Sequence, residues 1–360
     1  MASNTVAVVG GGIGGVVAAR RLRQRLAAED RVVLVERNTS LVFQPSLLWV
    51  MSGARQPSQL RRDVRRLRRR GIEVVEAEAV EIDTDRQVVE TAAGPLSADR
   101  IVLAVGAELA PESLPGFEAA ALDLYTLDGV VAARGVLEHV ESGRIVVLVS
   151  SMPYKCPAAP YEAAFLADAA LRRRGVRDRV QVDVVTPEPF PMPTAGPVLG
   201  EALRGMLEAR GIGFHPLSAV EAVDAESHHL IAASGDTRPF DVLLGVPPHR
   251  APEIARRSGL AAESGYVPVD PTTLAAGPEG IYAIGGATSV PIAGGKFLPK
   301  AGVFAEKEAE VVAARLQPTS PAGGRPRPST ARERASSSSG ADPPPTRPAT
   351  STRVTRRRSR

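Results

Sequence analysis

The chain has 360 residues, 44% of them hydrophobic, which is enough for a sizeable buried core and for two or three domains. Its single cysteine, Cys156, excludes an internal disulfide framework and any zinc or iron–sulfur centre built from cysteines. The net charge of +4 is unevenly spread: residues 317–360 carry ten Arg against Glu333 and Asp342, so residues 1–316 are mildly acidic and no nucleic-acid partner is expected for them.

The N-terminus, MASNTVAVVGGG, enters a strand pattern at once, without a basic segment followed by a long apolar one. No run approaches the roughly 18 apolar residues of a membrane span, and a cytoplasmic compartment is expected. TVAVVGGGIGGVVAARRLRQRL then reads as strand, glycine turn and helix. Gly10, Gly12 and Gly15 fit G-x-G-x-x-G: the first permits the turn, the second lets a pyrophosphate approach the backbone, the third lets helix pack on strand. The helix start offers free N–H groups and a positive dipole end to phosphate. RVVLVERN supplies a second strand ending at Glu36, a carboxylate placed to accept hydrogen bonds from a ribose diol.

FQPSLLWVMSG (43–53) follows, and then LRRDVRRLRRRG (60–71), whose spacing predicts a helix with Leu60, Val64 and Leu67 on one face. Its arginines form a solvated face, with anionic lipid as an alternative contact. DRIVLAVGAELAPESLPG (99–116) is a buried strand ending at Gly106 with a proline-rich exit. RIVVLVSS (144–151) and QVDVVTPEP (181–189) predict the first two strands of a second nucleotide-type domain.

The loop between those two strands departs from nucleotide chemistry. Where glycines would cradle a nicotinamide dinucleotide it has Pro153, Pro157 and Pro160, which donate no N–H, and larger side chains between them. The second domain is therefore expected to keep the architecture without binding a dinucleotide. Cys156 sits in this loop beside Lys155, at the start of a helical pattern. That position predicts a lowered thiol pKa and a reactive thiolate. A buried inert thiol is the alternative. Lysine is otherwise scarce, four against 40 Arg, and Lys155, Lys296 and Lys300 all lie in motif blocks.

GIYAIGGATSVPIAGGKFLPKAGVFAEKEAEVVAARL (280–316) reads as strand, loop and long helix. With 99–116 it resembles the closing parts of two-dinucleotide-domain flavoproteins, in which a split FAD domain holds an inserted NAD(P)-like domain. Four blocks, PYKCPAAPYEAA, FQPSLLWVMSG, GVPPHRAP and FLPKAGVFAE, resemble sulfide:quinone oxidoreductases and flavocytochrome c sulfide dehydrogenases. The resemblance implies an α/β fold of two Rossmann-like domains: residues 1–110 and 251–316 for FAD, 111–250 inserted, and a disordered basic tail over 317–360. It implies FAD as cofactor, a small-molecule sulfur donor, a quinone-like acceptor and a peripheral membrane contact. It implies catalytic roles for Cys156, Lys155 and Lys300. For the cofactor it implies Gly10, Gly12, Gly15, Glu36, Pro45, Gly106, Gly285, Gly286, Lys300, Ala301 and Gly302, with the Pro247–His249 turn nearby. Type II NADH:quinone dehydrogenases share the fold and the FQP-like segment, and a degenerate flavin-binding protein without turnover is a third reading.

Three features depart from that family. Its second redox cysteine is missing, so no intramolecular disulfide or trisulfide can form. The Gly-Asp expected on the last FAD strand reads Gly285-Gly286, which removes a carboxylate for the ribityl hydroxyls. A polar tail replaces the membrane-docking segment.

Overall fold

The computed structural model describes residues 4–317, so the tail expected to be disordered lies outside the described residues apart from Gln317. Two parallel five-stranded sheets carry the fold. The first is built from β1 (Thr5–Val9), β2 (Arg31–Val35), β3 (Glu73–Val75), β4 (Arg100–Leu103) and a strand near the C-terminus, Ile281–Ala283. The second is built from β5 (Ala121–Asp123), β6 (Gly143–Val149), β7 (Val180–Val185), β8 (Ile212–His215) and β9 (Val242–Val246). Numbering Ile281–Ala283 as β10, the orders are β10-β4-β1-β2-β3 and β5-β9-β6-β7-β8. Every pairing in both sheets is parallel.

Helices cover these sheets: α1 (Ile13–Arg25), α2 (Leu47–Met51), α3 (Leu127–His139), α4 (Ala159–Arg174), α5 (Pro197–Glu208) and α6 (Gly302–Arg315). Burial on both faces is why β1 and β6 read as unbroken aliphatic runs: Val6–Val9 and Ile145–Val149 are all shielded from solvent. The two halves repeat one plan. Each has a strand–helix–strand start and a three-stranded antiparallel meander (79–97 in the first, 220–239 in the second) that feeds the strand beside the first one. The crossovers between the halves pair with each other, Glu108 and Leu109 against Arg250 and His249.

One expected helix is not formed. Residues 57–60 and 64–70 are 3-10 turns on either side of a short strand, 61–63, that pairs with 40–42. The three apolar residues do not share a face. Val64 and Leu67 join the core of the first sheet, whereas Leu60 joins the core of the second. The basic run is thus folded around two cores, and its local helical period loses to tertiary burial. Leu47, Leu48, Val50 and Met51 of α2 also pack into the second core, so the segment after β2 ties the halves together. Among the described residues no helix is long and apolar enough to cross a membrane.

Candidate functional site

The C-terminal edge of the first sheet collects most of the sequence-predicted cofactor residues. Gly10 follows β1, Glu36 follows β2, Gly106 lies three residues beyond β4, and Gly285 and Gly286 follow β10. In open parallel sheets this edge is where ligands bind. Gly10 has φ +102°, and a Cβ there would stand 2.7 Å from the Ala104 carbonyl oxygen. A Cβ on Gly15 would stand 1.8 Å from the Gly10 oxygen, so only glycine lets α1 start this close to β1. Gly12 is different: nothing lies within 4 Å of a Cβ built on it, leaving open space in front of the helix start.

Neither α1 nor α6 has a side-chain cap or an acid in its first turn, so the positive end of each dipole is left for a ligand. The two helix starts are packed together. A Cβ on Gly302 would meet Ile13 Cδ1 at 2.6 Å, which fixes Gly302 as a close-approach residue, with Ala301 capping the helix before it. The Glu36 carboxylate accepts from the N–H of Gly11 at 2.6 Å and of Asn38 at 2.7 Å. It is held at the mouth of the glycine turn by main chain alone, and a diol would compete with these two donors.

At the other end of the edge, the 285–288 turn is held by side chains. Lys300 Nζ donates to the carbonyls of Gly286 (2.9 Å) and Thr288 (3.1 Å), and lies 3.4 Å from the Tyr266 ring centroid. Burial lowers its pKa to about 8, against the pull of Glu308. Glu308 accepts from the Gly285 N–H at 2.5 Å. Sequence reasoning missed this residue, although its helical phase marks it: Ala305, Glu308, Ala309, Val312 and Ala313 form the buried stripe of α6.

The Cys156 loop joins this region from the second sheet. The Cys156 N–H donates to the Lys300 carbonyl at 2.7 Å, and Lys155 and Lys300 form a parallel bridge. Cys156 has φ +52° and is exposed, and its carbonyl accepts from Ala159 N–H at 2.9 Å as α4 begins. The expected lowering of the thiol pKa is corrected by the surroundings. Neighbouring atoms at its base and the Glu162 carboxylate push it up, more than the N–H groups of Ala159 and Ala158 pull it down. Nor does Lys155 act on the thiol. Its ammonium stands 6.0 Å from the Tyr125 ring centroid, and burial lowers its pKa to about 8 against the pull of the Asp123 charge. The Tyr125 hydroxyl donates to the Lys155 carbonyl.

His249 completes this seam. Its ring meets Tyr125 edge-on at 5.2 Å between centroids, and Nδ1 lies 2.8 Å from the Pro247 carbonyl. Burial and then the charge of Lys155 bring its pKa down to about 3, so the ring is neutral at physiological pH. Pro45, by contrast, is exposed in the 44–46 turn that leads into α2.

The mouth of the second sheet is closed by side chains. Glu188, just past β7 where a ribose-binding carboxylate would stand, is 1% exposed. It accepts from the Tyr161 hydroxyl and, at 3.1 Å, from Thr186 Oγ1. Tyr161 itself is 1% exposed, on the first turn of α4. Three prolines and this filled corner leave no glycine cradle on the second sheet.

Comparison with known proteins agrees with this geometry. The family model described as pyridine nucleotide-disulphide oxidoreductase matches residues 4–309. The mitochondrial sulfide:quinone oxidoreductase of Mus musculus is 26% identical over 304 residues, 79% of this chain and 66% of that protein. The chain thus spans about two thirds of that relative's length. A benzene 1,2-dioxygenase system ferredoxin–NAD(+) reductase subunit of Pseudomonas putida is 27% identical, over 86% of this chain and 74% of its own. Among solved structures, the sulfide:quinone oxidoreductase of Aquifex aeolicus superposes with a TM-score of 0.77 at 23% identity, covering 87% of this chain and 76% of that one. Open space over Gly12, two helix starts free of acids and the Glu36 carboxylate fit a dinucleotide at the first sheet; Gly10, Gly12, Gly15, Glu36 and the 285–288 turn would hold it, and it would supply a two-electron acceptor. The chain belongs to the pyridine nucleotide-disulphide oxidoreductase family and is an FAD-binding flavoprotein.

Proposed function

We propose that this flavoprotein is an oxidoreductase of the sulfide:quinone type. It takes two electrons from sulfide, or from a thiol or persulfide, and passes them by way of the flavin to a quinone-like acceptor. In this reading residues 1–110 and 251–316 make the FAD domain and 111–250 the inserted domain. The reaction runs in the cytoplasm, with a peripheral membrane contact delivering the quinone.

The observation that carries the reading is the bond from Cys156 N–H to the Lys300 carbonyl, which seats the chain's one thiol at the start of α6. Cys156 is the sulfur-handling nucleophile. Lys155 and Lys300, joined by their main-chain bridge beside the thiol, are the catalytic lysines of this reading. Because no second cysteine follows, an external thiol carries the sulfur away. Hydrosulfide and that thiol become a persulfide and one proton, and the two electrons released reduce the acceptor.

The test is anaerobic addition of sulfide to the purified holoprotein, followed by flavin absorbance near ~450 nm, roughly where flavins absorb. The wild-type band bleaches and Cys156→Ser abolishes the bleaching while retaining FAD. Bleaching that survives the substitution removes Cys156 from the reaction.

A further inference from the structure

We propose that Glu308 is the positioning carboxylate of the flavin site, serving from α6 the turn whose own carboxylate is missing. The inference rests on FAD occupying the first sheet. Three observations carry it. First, position 286 cannot hold a side chain as the turn stands: a Cβ on Gly286 would lie 2.9 Å from the Ala107 main-chain nitrogen and 3.4 Å from Gly106. The glycine is therefore part of the backbone packing between the β4 and β10 exits, and a carboxylate has to come from elsewhere.

Second, Glu308 is a carboxylate almost wholly removed from water, 7% exposed, in a helix position otherwise given to alanine and valine. Such a group is costly unless it is bonded and paired. Its partners are the Gly285 N–H at 2.5 Å and the charge of Lys300, while burial raises its pKa. Third, the same helix start grips the other side of the turn, because Lys300 Nζ donates to the carbonyls of Gly286 and Thr288. The helix and the residue just before its cap thus hold the 285–288 turn by opposite charges, Glu308 as an acceptor for its N–H and Lys300 as a donor to its carbonyls. The clamp fixes the turn against α1, where a Cβ on Gly14 would meet Ile284 Cδ1 at 3.2 Å and Ala305 Cβ at 3.4 Å. Glu308 then does two things: it sets the position of the turn that would help hold the cofactor, and it offsets the Lys300 charge that would otherwise favour the reduced, anionic flavin.

Glu308→Leu and Glu308→Gln in the full chain separate these effects. Leucine fills the space but accepts no bond, and FAD binding should weaken about tenfold or more. Glutamine keeps an acceptor for Gly285 but leaves Lys300 uncompensated. Its affinity for oxidised FAD should stay within about threefold of wild type. The flavin midpoint potential, measured by dye-coupled reduction, should rise, corresponding to reduced flavin held at least about threefold more tightly relative to oxidised. A side chain that merely fills space would alter melting temperature without moving the potential. If Glu308→Gln keeps the wild-type potential, the inference is overturned, whether or not Glu308→Leu can be isolated. Wild-type protein that binds no added FAD would defeat the cofactor reading itself, a separate result.

Discussion

The main-chain N–H of Cys156 donates to the main-chain carbonyl of Lys300 across 144 residues of sequence, at 2.7 Å. The bond joins the loop before α4, on the second parallel sheet, to the start of α6 at the C-terminal edge of the first. The side chains on either side of the bridge have different neighbours: the Lys155 ammonium stands 6.0 Å from the Tyr125 ring centroid, whereas Lys300 Nζ donates to the 285–288 turn. The thiol is left exposed, and the Glu162 carboxylate is the charged group that adds to burial in raising its pKa.

That environment predicts a slow thiol at neutral pH. Because the Cys156 pKa is raised, its thiolate fraction at pH 7 is below that of an ordinary thiol of about 8.5. Alkylation by iodoacetamide should speed up as pH rises, with a midpoint above that value. Glu162→Gln removes the like charge and should shift the midpoint downward. A rate that is already at its plateau at pH 7 would contradict this account.

Nicotinamide should not serve as donor. The proline-filled loop and the closed Glu188 corner offer a dinucleotide neither a glycine cradle nor an open carboxylate. Stopped-flow mixing of oxidised holoprotein with NADH or NADPH should leave the flavin band unchanged for minutes. Reduction within seconds would place the chain with the NAD-linked reductases it also resembles.

Tyr161→Phe should destabilise the protein by about 1–3 kcal/mol by removing the hydroxyl that satisfies buried Glu188. The sign of its pH dependence follows from burial, which raises the Glu188 pKa in the folded state. The folded protein then binds more protons than the unfolded chain between the ordinary value of about 4.3 and the raised one, so stability falls as pH rises through that window. Losing the tyrosine raises the folded value further. The melting-temperature deficit of Tyr161→Phe should therefore be larger at pH 7 than at pH 5.

Gly12→Ala and Gly15→Ala should fail differently. A methyl at Gly15 collides with the Gly10 carbonyl, so overpacking should cost about 1–3 kcal/mol or more and lower the melting temperature even without FAD. A methyl at Gly12 meets no protein atom, so apoprotein stability should stay within about 0.5 kcal/mol while FAD binding weakens, because the space in front of α1 is filled. Equal losses of stability would refute the assignment of that space to the cofactor.

By itself the sequence determined the repeated strand–turn–helix plan, the glycine turn at Gly10–Gly15, the absence of a glycine cradle from the 150–160 loop, and the family. Each of these rests on local chemistry: φ near +100° at Gly10, absent N–H groups at prolines, apolar runs buried on both faces. The tertiary structure decided what depends on which distant groups meet. It split the apolar residues of 60–71 between two cores, spent Lys300 on a turn's carbonyls, and surrounded Cys156 with groups that raise its pKa. It also brought Glu308 to the Gly285 N–H. A side chain's charge state and partners are set by burial and by neighbours far along the chain, and spacing within a motif does not encode either.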